Sequence, residues 1–183
     1  MKRLRDTPGD KQLSRMYDVP HDHRRWPDHL LRVGVTSEMI RWLAGSVASA
    51  ADLSCGNGTL LNQTDAEVKY YGDLAPGWPL NGSIEQTLQA IPRVDLFICS
   101  ETIEHLDDPA GVLTQIRKRT KKLVLSTPVD AWDDSNLEHL WAWSRNDVER
   151  MLKAAGFEIA AYVSSDARPR IKGSYLFGVW GCQ

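Results

Sequence analysis

The stretch Ala51-Asp52-Leu53-Ser54-Cys55-Gly56-Asn57-Gly58-Thr59 constrains this chain more than any other. An apolar run with β character ends in an acid, two glycines follow with one residue between them, and helix-compatible residues begin at Thr59. A strand, a tight turn and a helix N-terminus fit that order. The unpaired N–H groups and the helix dipole make such a turn favourable for an anionic group. Glycine at 56 and 58 permits φ > 0 and lets a ligand approach with no Cβ in its way. The dinucleotide pattern G-x-G-x-x-G asks for a small residue three places after the second glycine, and this chain has Leu61 there.

Around the turn, apolar strands alternate with amphipathic helices, which predicts an α/β fold whose sheet is covered on both faces. Val47–Leu53 is the first core strand, Val68–Tyr71 the second, Arg93–Ser100 the fourth and Lys122–Thr127 the fifth. The third, within the turn-rich link 76–82, must be very short. Thr36 can cap a helix with Met39, Ile40 and Leu43 on one face, closed by Gly45. Ser83-Ile84-Glu85-Gln86 has the capping-box form, Pro109 suits a first helical turn, and Ser144 caps a helix that ends at Gly156. Phe157–Val163 and Ser174–Trp180 have only a polar loop between them and should pair antiparallel. Asp73 follows Asp52 by about twenty positions, which puts an acid at the end of the second strand, where it can accept from both hydroxyls of a ribose. A plain turn formed with Gly72 and Pro76 is the alternative.

Composition excludes some partners. A chain of 183 residues suits one well-cored domain, and a net charge of −2 gives nothing global to steer it to nucleic acid or an anionic membrane. No apolar run approaches the ~20 residues of a membrane span. Cys55, Cys99 and Cys182 are widely spaced and odd in number, and no leader pattern is seen, so free thiols in a reducing cytoplasm are expected. Residues 1–20 are polar and charged, which predicts a flexible arm, with residues 21–183 as one domain (21–45 a helical lid, 46–183 the core). His21 and His23 lack a further ligand set, and no metal is expected. Trp26, His29 and Arg32 suit a lid or substrate-side wall, or a polar helix packed on the domain. Arg117-Lys118-Arg119 and Lys121-Lys122 complement a helix C-terminus.

With these residues in view, the chain resembles a class I S-adenosylmethionine-dependent methyltransferase over about residues 45–180. Asp52 to Gly58 resembles the family's first motif, D-x-G-C-G-x-G, and Gly72-Asp73-Leu74-Ala75-Pro76 its ribose-binding acid. Ser100-Glu101-Thr102-Ile103-Glu104-His105-Leu106 resembles the segment after the fourth strand, and Leu140–Phe157 the last helix. The resemblance implies a minimal Rossmann-like three-layer α/β/α sandwich, its seven-stranded, mostly parallel sheet ending in an antiparallel strand. Ser54 departs from the usual glycine. Ser83 stands where many members carry an acid near the adenine, so base contact and helix capping are both open. The link from Asp73 to Ser83 is too short for the usual helix.

The resemblance implies S-adenosylmethionine as cofactor, leaving S-adenosylhomocysteine. It assigns the backbone of Ser54, Cys55, Gly56, Asn57 and Gly58 to the amino-acid tail, Asp52 to its amino group and Asp73 to the ribose. Leu74 and Ile84, with Ser83, would meet the adenine, and Ser100 and Glu101 would lie near the sulfonium. A general base is needed only for a hydroxyl or protonated amine, with His105, His139 and Asp130 as candidates. The expected acceptor is the O or N of a small molecule walled by Trp26, His29, Arg32, Trp141 and Trp143, though these tryptophans suit a core or a homodimer surface equally. A macromolecule methyltransferase and a non-catalytic cofactor-binding module are the alternatives. Nucleic acid is disfavoured by the lack of a basic stripe, and no membrane partner is expected.

Overall fold

The computed structural model describes residues 1–22 and 25–183, so His23, considered with His21 for a metal, lies outside the described residues. The glycine turn follows an inner strand of a seven-stranded sheet. The strands are β2 (Ser49–Asp52), β3 (Val68–Asp73), β4 (Leu80–Asn81), β5 (Val94–Ser100), β6 (Thr120–Val129), β8 (Ile159–Asp166) and β9 (Leu176–Cys182), ordered β4-β3-β2-β5-β6-β9-β8. The first five run parallel, β9 is antiparallel to β6, and β8 is antiparallel to β9. Two further short strands, β1 (Lys2–Arg3) and β7 (Trp141–Ala142), form a separate antiparallel pair.

Period-two alternation sends successive side chains to opposite faces, and both faces are covered. Phe97, Cys99, Leu123 and Leu125 join the core under α4 (Ile84–Ala90), α5 (Pro109–Arg119) and α6 (Arg145–Ala154). Leu96, Ile98 and Val124 face α2 (Pro27–Ala44) and α3 (Thr59–Asn62). The helix starts follow the sequence signals. Ser83 and Ser144 make complete capping boxes, and Asp108 accepts from Gly111 N–H just ahead of Pro109. As the short link requires, β4 pairs with β3 for two residues, Gly72 opposite Leu80 and Asp73 opposite Asn81. Gly72 has no room for a side chain, since a Cβ would meet Leu80 O at 2.9 Å.

Two expectations change. The helix expected from Thr36 begins instead at Pro27, with Trp26 at its N-cap, and Thr36 is buried in its middle. Proline at the first position pre-sets the helical φ, and that outweighs a downstream threonine. This helix packs on β6 and β9 as a layer of the core. Residues 1–20 are held in place rather than extending as a loose arm. β1 pairs with β7, the Met1 amino group lies 2.7 Å from Asp147, and α1 (Asp10–Met16) follows. Polar composition hid this because the segment is held by backbone pairing and charge, not by apolar side chains.

Candidate active site

The carboxyl ends of the parallel strands open onto a cavity of about 340 Å³, where the geometry of an open α/β sheet collects ligands. At one end the glycine turn forms the wall. Gly56 (φ 53°) and Gly58 (φ 77°) hold left-handed backbone conformations that a side chain would strain. Asp73 ties this turn to the next, with Oδ2 accepting from Gly56 N–H at 2.7 Å and Oδ1 from Ala75 N–H at 2.8 Å. Each oxygen keeps a lone pair for a further donor. Asp52 is buried and accepts from Ser54 N–H at 3.2 Å, and burial pushes its carboxyl up to about 7. Trp78, which sequence reasoning passed over, braces the turn from behind. Its Nε1–H donates to Gly56 O at 2.7 Å, and its ring stacks on Tyr71 with centroids 4.9 Å apart.

Of the residues expected at the cofactor, Ser54, Gly56, Asp73, Leu74, Ser83, Ile84 and Glu101 line this cavity. The others stand behind it. Cys55 is buried and donates its N–H to Gly72 O, while Asn57 caps Thr59 and donates to Asp22 at 2.7 Å. Ser100 Oγ accepts from Arg32 Nη1 at 2.6 Å. Ser83 serves as the helix cap and also lines the cavity.

The far end is built from side chains. Glu101 has a positive φ of 53°, a strained value for a residue with a Cβ, and its N–H donates to Ser126 O. A 3₁₀ turn, Ile103–His105, follows. Glu104 is 1 % exposed; Oε2 accepts from Thr127 Oγ1 at 2.9 Å, whereas Oε1 has no hydrogen-bond partner. Burial, reinforced by the Glu101 charge, pushes the Glu104 carboxyl up to about 8. His105 Nδ1 lies 3.0 Å from Glu138 O, and burial pushes this imidazole down to about 3. His139 Nδ1 lies 2.5 Å from Asp134 Oδ2, and Tyr175 donates to Asp134 Oδ1 at 2.8 Å. Burial opposes charge on His139, but the Asp134 hydrogen bond and the Glu104 carboxylate prevail and raise its pKa. The two imidazole centroids are 4.9 Å apart.

The N-terminal segment holds this end together. Arg5 donates to the carbonyls of Asp134, Asn136 and His139, Leu4 N–H to Leu140 O, and Leu140 N–H to Glu104 O. Tyr17 lines the cavity, its hydroxyl 3.4 Å from His105 Nδ1. Tyr17, Glu138 and Tyr175 were not singled out from the sequence, because single polar residues carry no periodic signal.

Of the three candidate bases, His105 and His139 meet here, and Asp130 does not. Asp130 is exposed at the end of β6, with its N–H donating to Trp143 O. Of the five expected acceptor-wall residues only His29 lines the cavity. Trp143 is fully buried, its Nε1–H donating to Pro128 O; Trp141 donates to Leu106 O beneath Arg3; Arg32 is 0 % exposed; and Trp26 is 47 % exposed at the start of α2.

Residues 21–162 match the family model described as a methyltransferase domain. Among curated proteins none matches the sequence. Among solved structures, the chain is similar to the N-methyltransferase NodS from Bradyrhizobium japonicum WM9 in complex with S-adenosyl-L-homocysteine. The two are 14 % identical with a TM-score of 0.71, covering 94 % of this chain and 96 % of that one. It is also similar to the 1,6-didemethyltoxoflavin-N1-methyltransferase of Burkholderia thailandensis, at 16 % identity and a TM-score of 0.67, over 98 % and 92 % of the two chains. The small RNA methyltransferase HEN1 matches at 17 % identity and a TM-score of 0.65 over 100 % of this chain, which spans only 26 % of that one.

Proposed function

Because the chain belongs to the methyltransferase-domain family, we propose that it moves a methyl group from S-adenosylmethionine to an oxygen or nitrogen of a small molecule. The observation that carries this reading is that one cavity holds the glycine turn and Asp73 at one end and the His105–His139 pair at the other. The donor supplies a methyl already activated on a sulfonium. The cavity lining fits it in part: Gly56 keeps a side chain out of the cavity, Asp73 has lone pairs for ribose hydroxyls, and Asp52 stands buried just behind the turn, where its carboxylate would draw an ammonium group, while the N–H groups of 54–58 are already paired within the fold. Alignment and exclusion of water then supply most of the acceleration. The acceptor's proton leaves through the polar far end. Its enclosure by Tyr17 and by the loop that Arg5 holds favours a small acceptor.

The basic residues 117–122 do not argue for nucleic acid. Arg117 donates to Gly156 O and Thr120 O, and Lys121 and Lys122 lie at the start of β6, at the opposite ends of the parallel strands from the cavity. A reducing compartment suits the three buried, unpaired thiols, and among the described residues no helix is long and apolar enough to cross a membrane.

Calorimetric titration with S-adenosylhomocysteine, with NAD as control, tests the reading. We expect micromolar binding that Asp73→Ala weakens tenfold or more (about 1.4 kcal/mol), with Asp73→Asn as the milder variant if alanine unfolds the turn. Absence of binding by the folded wild type overturns the proposal.

A further inference from the structure

We propose that Glu104, His105 and His139 form a binding site for a divalent transition-metal ion at the far end of the cavity. One ligand atom from each of the three lies within 4.8 Å of the others. Glu104 Oε1 is buried without a hydrogen-bond partner, 3.9 Å from His105 Nε2. That separation is too long for a hydrogen bond, yet two ligands of one ion, each ~2.0–2.2 Å from it, stand roughly 3–4 Å apart. A buried carboxylate oxygen left unpaired is costly, and a cation between these groups removes the cost.

The surroundings of the imidazoles point the same way. His105 Nδ1 faces Glu138 O, and His139 Nδ1 faces Asp134, itself held by Tyr175. Each ring has its Nδ1 engaged by an oxygen, which sets the tautomer and leaves Nε2 as the basic nitrogen. Metal-binding histidines are oriented this way. Asp134 thus supports a ligand rather than serving as one.

Two imidazoles and one carboxylate suit Mn²⁺, Fe²⁺, Co²⁺ or Zn²⁺, whereas Mg²⁺ and Ca²⁺ favour oxygen ligands alone. Three protein ligands leave positions open, and His105 and His139 both line the cavity. The inference rests on the methyl-transfer reading only for its consequence: an acceptor hydroxyl on such an ion would ionise more readily near neutral pH.

The test uses the full chain, dialysed against a chelator and titrated with Co²⁺ (followed by its visible absorption) and with Zn²⁺ by calorimetry. S-adenosylhomocysteine binding is measured on the same samples. We expect one equivalent bound, with affinity lowered at least about a hundredfold by Glu104→Gln and about tenfold by Asp134→Asn. Circular dichroism verifies that each variant is folded, and His105→Gln replaces Glu104→Gln if the latter is not. Failure of the folded wild type to bind either ion at about 100 µM, or equal affinity in the ligand variants, overturns the proposal. Absence of metal binding by the folded wild type with S-adenosylhomocysteine binding intact sinks this inference alone, while wild-type metal binding without S-adenosylhomocysteine binding sinks the methyl-transfer reading.

Discussion

The two ends of the cavity are made in different ways. The end proposed for the donor is largely backbone: Gly56 and Gly58 in left-handed conformations, with Asp73 bridging the N–H groups of Gly56 and Ala75. It draws mainly on two short stretches, 52–58 and 73–75, each beginning at the last residue of a strand. The end proposed for the acceptor is a mesh of side chains, Tyr17, Glu104, His105, Asp134, His139 and Tyr175, brought in from separate parts of the chain. What joins them is the pairing of β1 with β7 and the reach of Arg5 to three loop carbonyls. A backbone site depends on residue type at a strand end. A side-chain site depends on which distant segments meet.

Three experiments break or sharpen this contrast. The largest effect belongs to Trp143, for which the sequence left acceptor wall, core and homodimer surface open and which the structure buries in the core. Trp143→Ala should lower stability by about 3–5 kcal/mol in urea unfolding, because it empties a buried site and orphans Pro128 O. A loss under about 1 kcal/mol would return it to the cavity and blur the division.

The second acts on the donor end. With Asp52 pushed up to about 7, its carboxyl is increasingly neutral below that pH, and an ammonium group needs the carboxylate. Affinity for S-adenosylhomocysteine should therefore fall by up to about tenfold per pH unit below 7, and Asp52→Asn should flatten the profile. The sign for stability is opposite. The unfolded carboxyl ionises near its ordinary value, so the ligand-free fold loses this group's contribution as pH rises towards 7. A flat wild-type binding profile would remove Asp52 from the donor end.

The smallest effect is at the acceptor end. Tyr175→Phe deletes the hydrogen bond to Asp134 and should cost about 1 kcal/mol, or roughly 2–4 °C in Tm. Affinity for S-adenosylhomocysteine should stay within about twofold. A larger change would show that the two ends are coupled and not separately built.

Much of the fold was legible because its signals are local. Ser83-x-x-Gln86 and Pro109 start the expected helices, the short link 76–82 gives a two-residue strand, and the last two strands reverse. The misreadings share a cause. For Arg32 the charge left open a substrate-side wall and a polar helix packed on the domain; it is fully buried in the packed helix, donating to Ser100 and lying 3.8 Å from Glu101. Residues 1–20 suggested a loose arm by their polarity, but a two-residue strand and one arginine need no apolar pattern to hold a segment. Trp78 escaped notice because a lone aromatic in a turn-rich link has no period.

By itself the sequence determined the α/β layering, the glycine turn and the placing of Asp52 and Asp73 on one rim. Those follow from backbone conformation and strand periodicity, which neighbouring residues dictate. Only the tertiary structure decided which histidines face each other, which acid orients them and which tryptophans are core. Such contacts join residues far apart in the chain, and the distance between them is set by packing that no short stretch encodes.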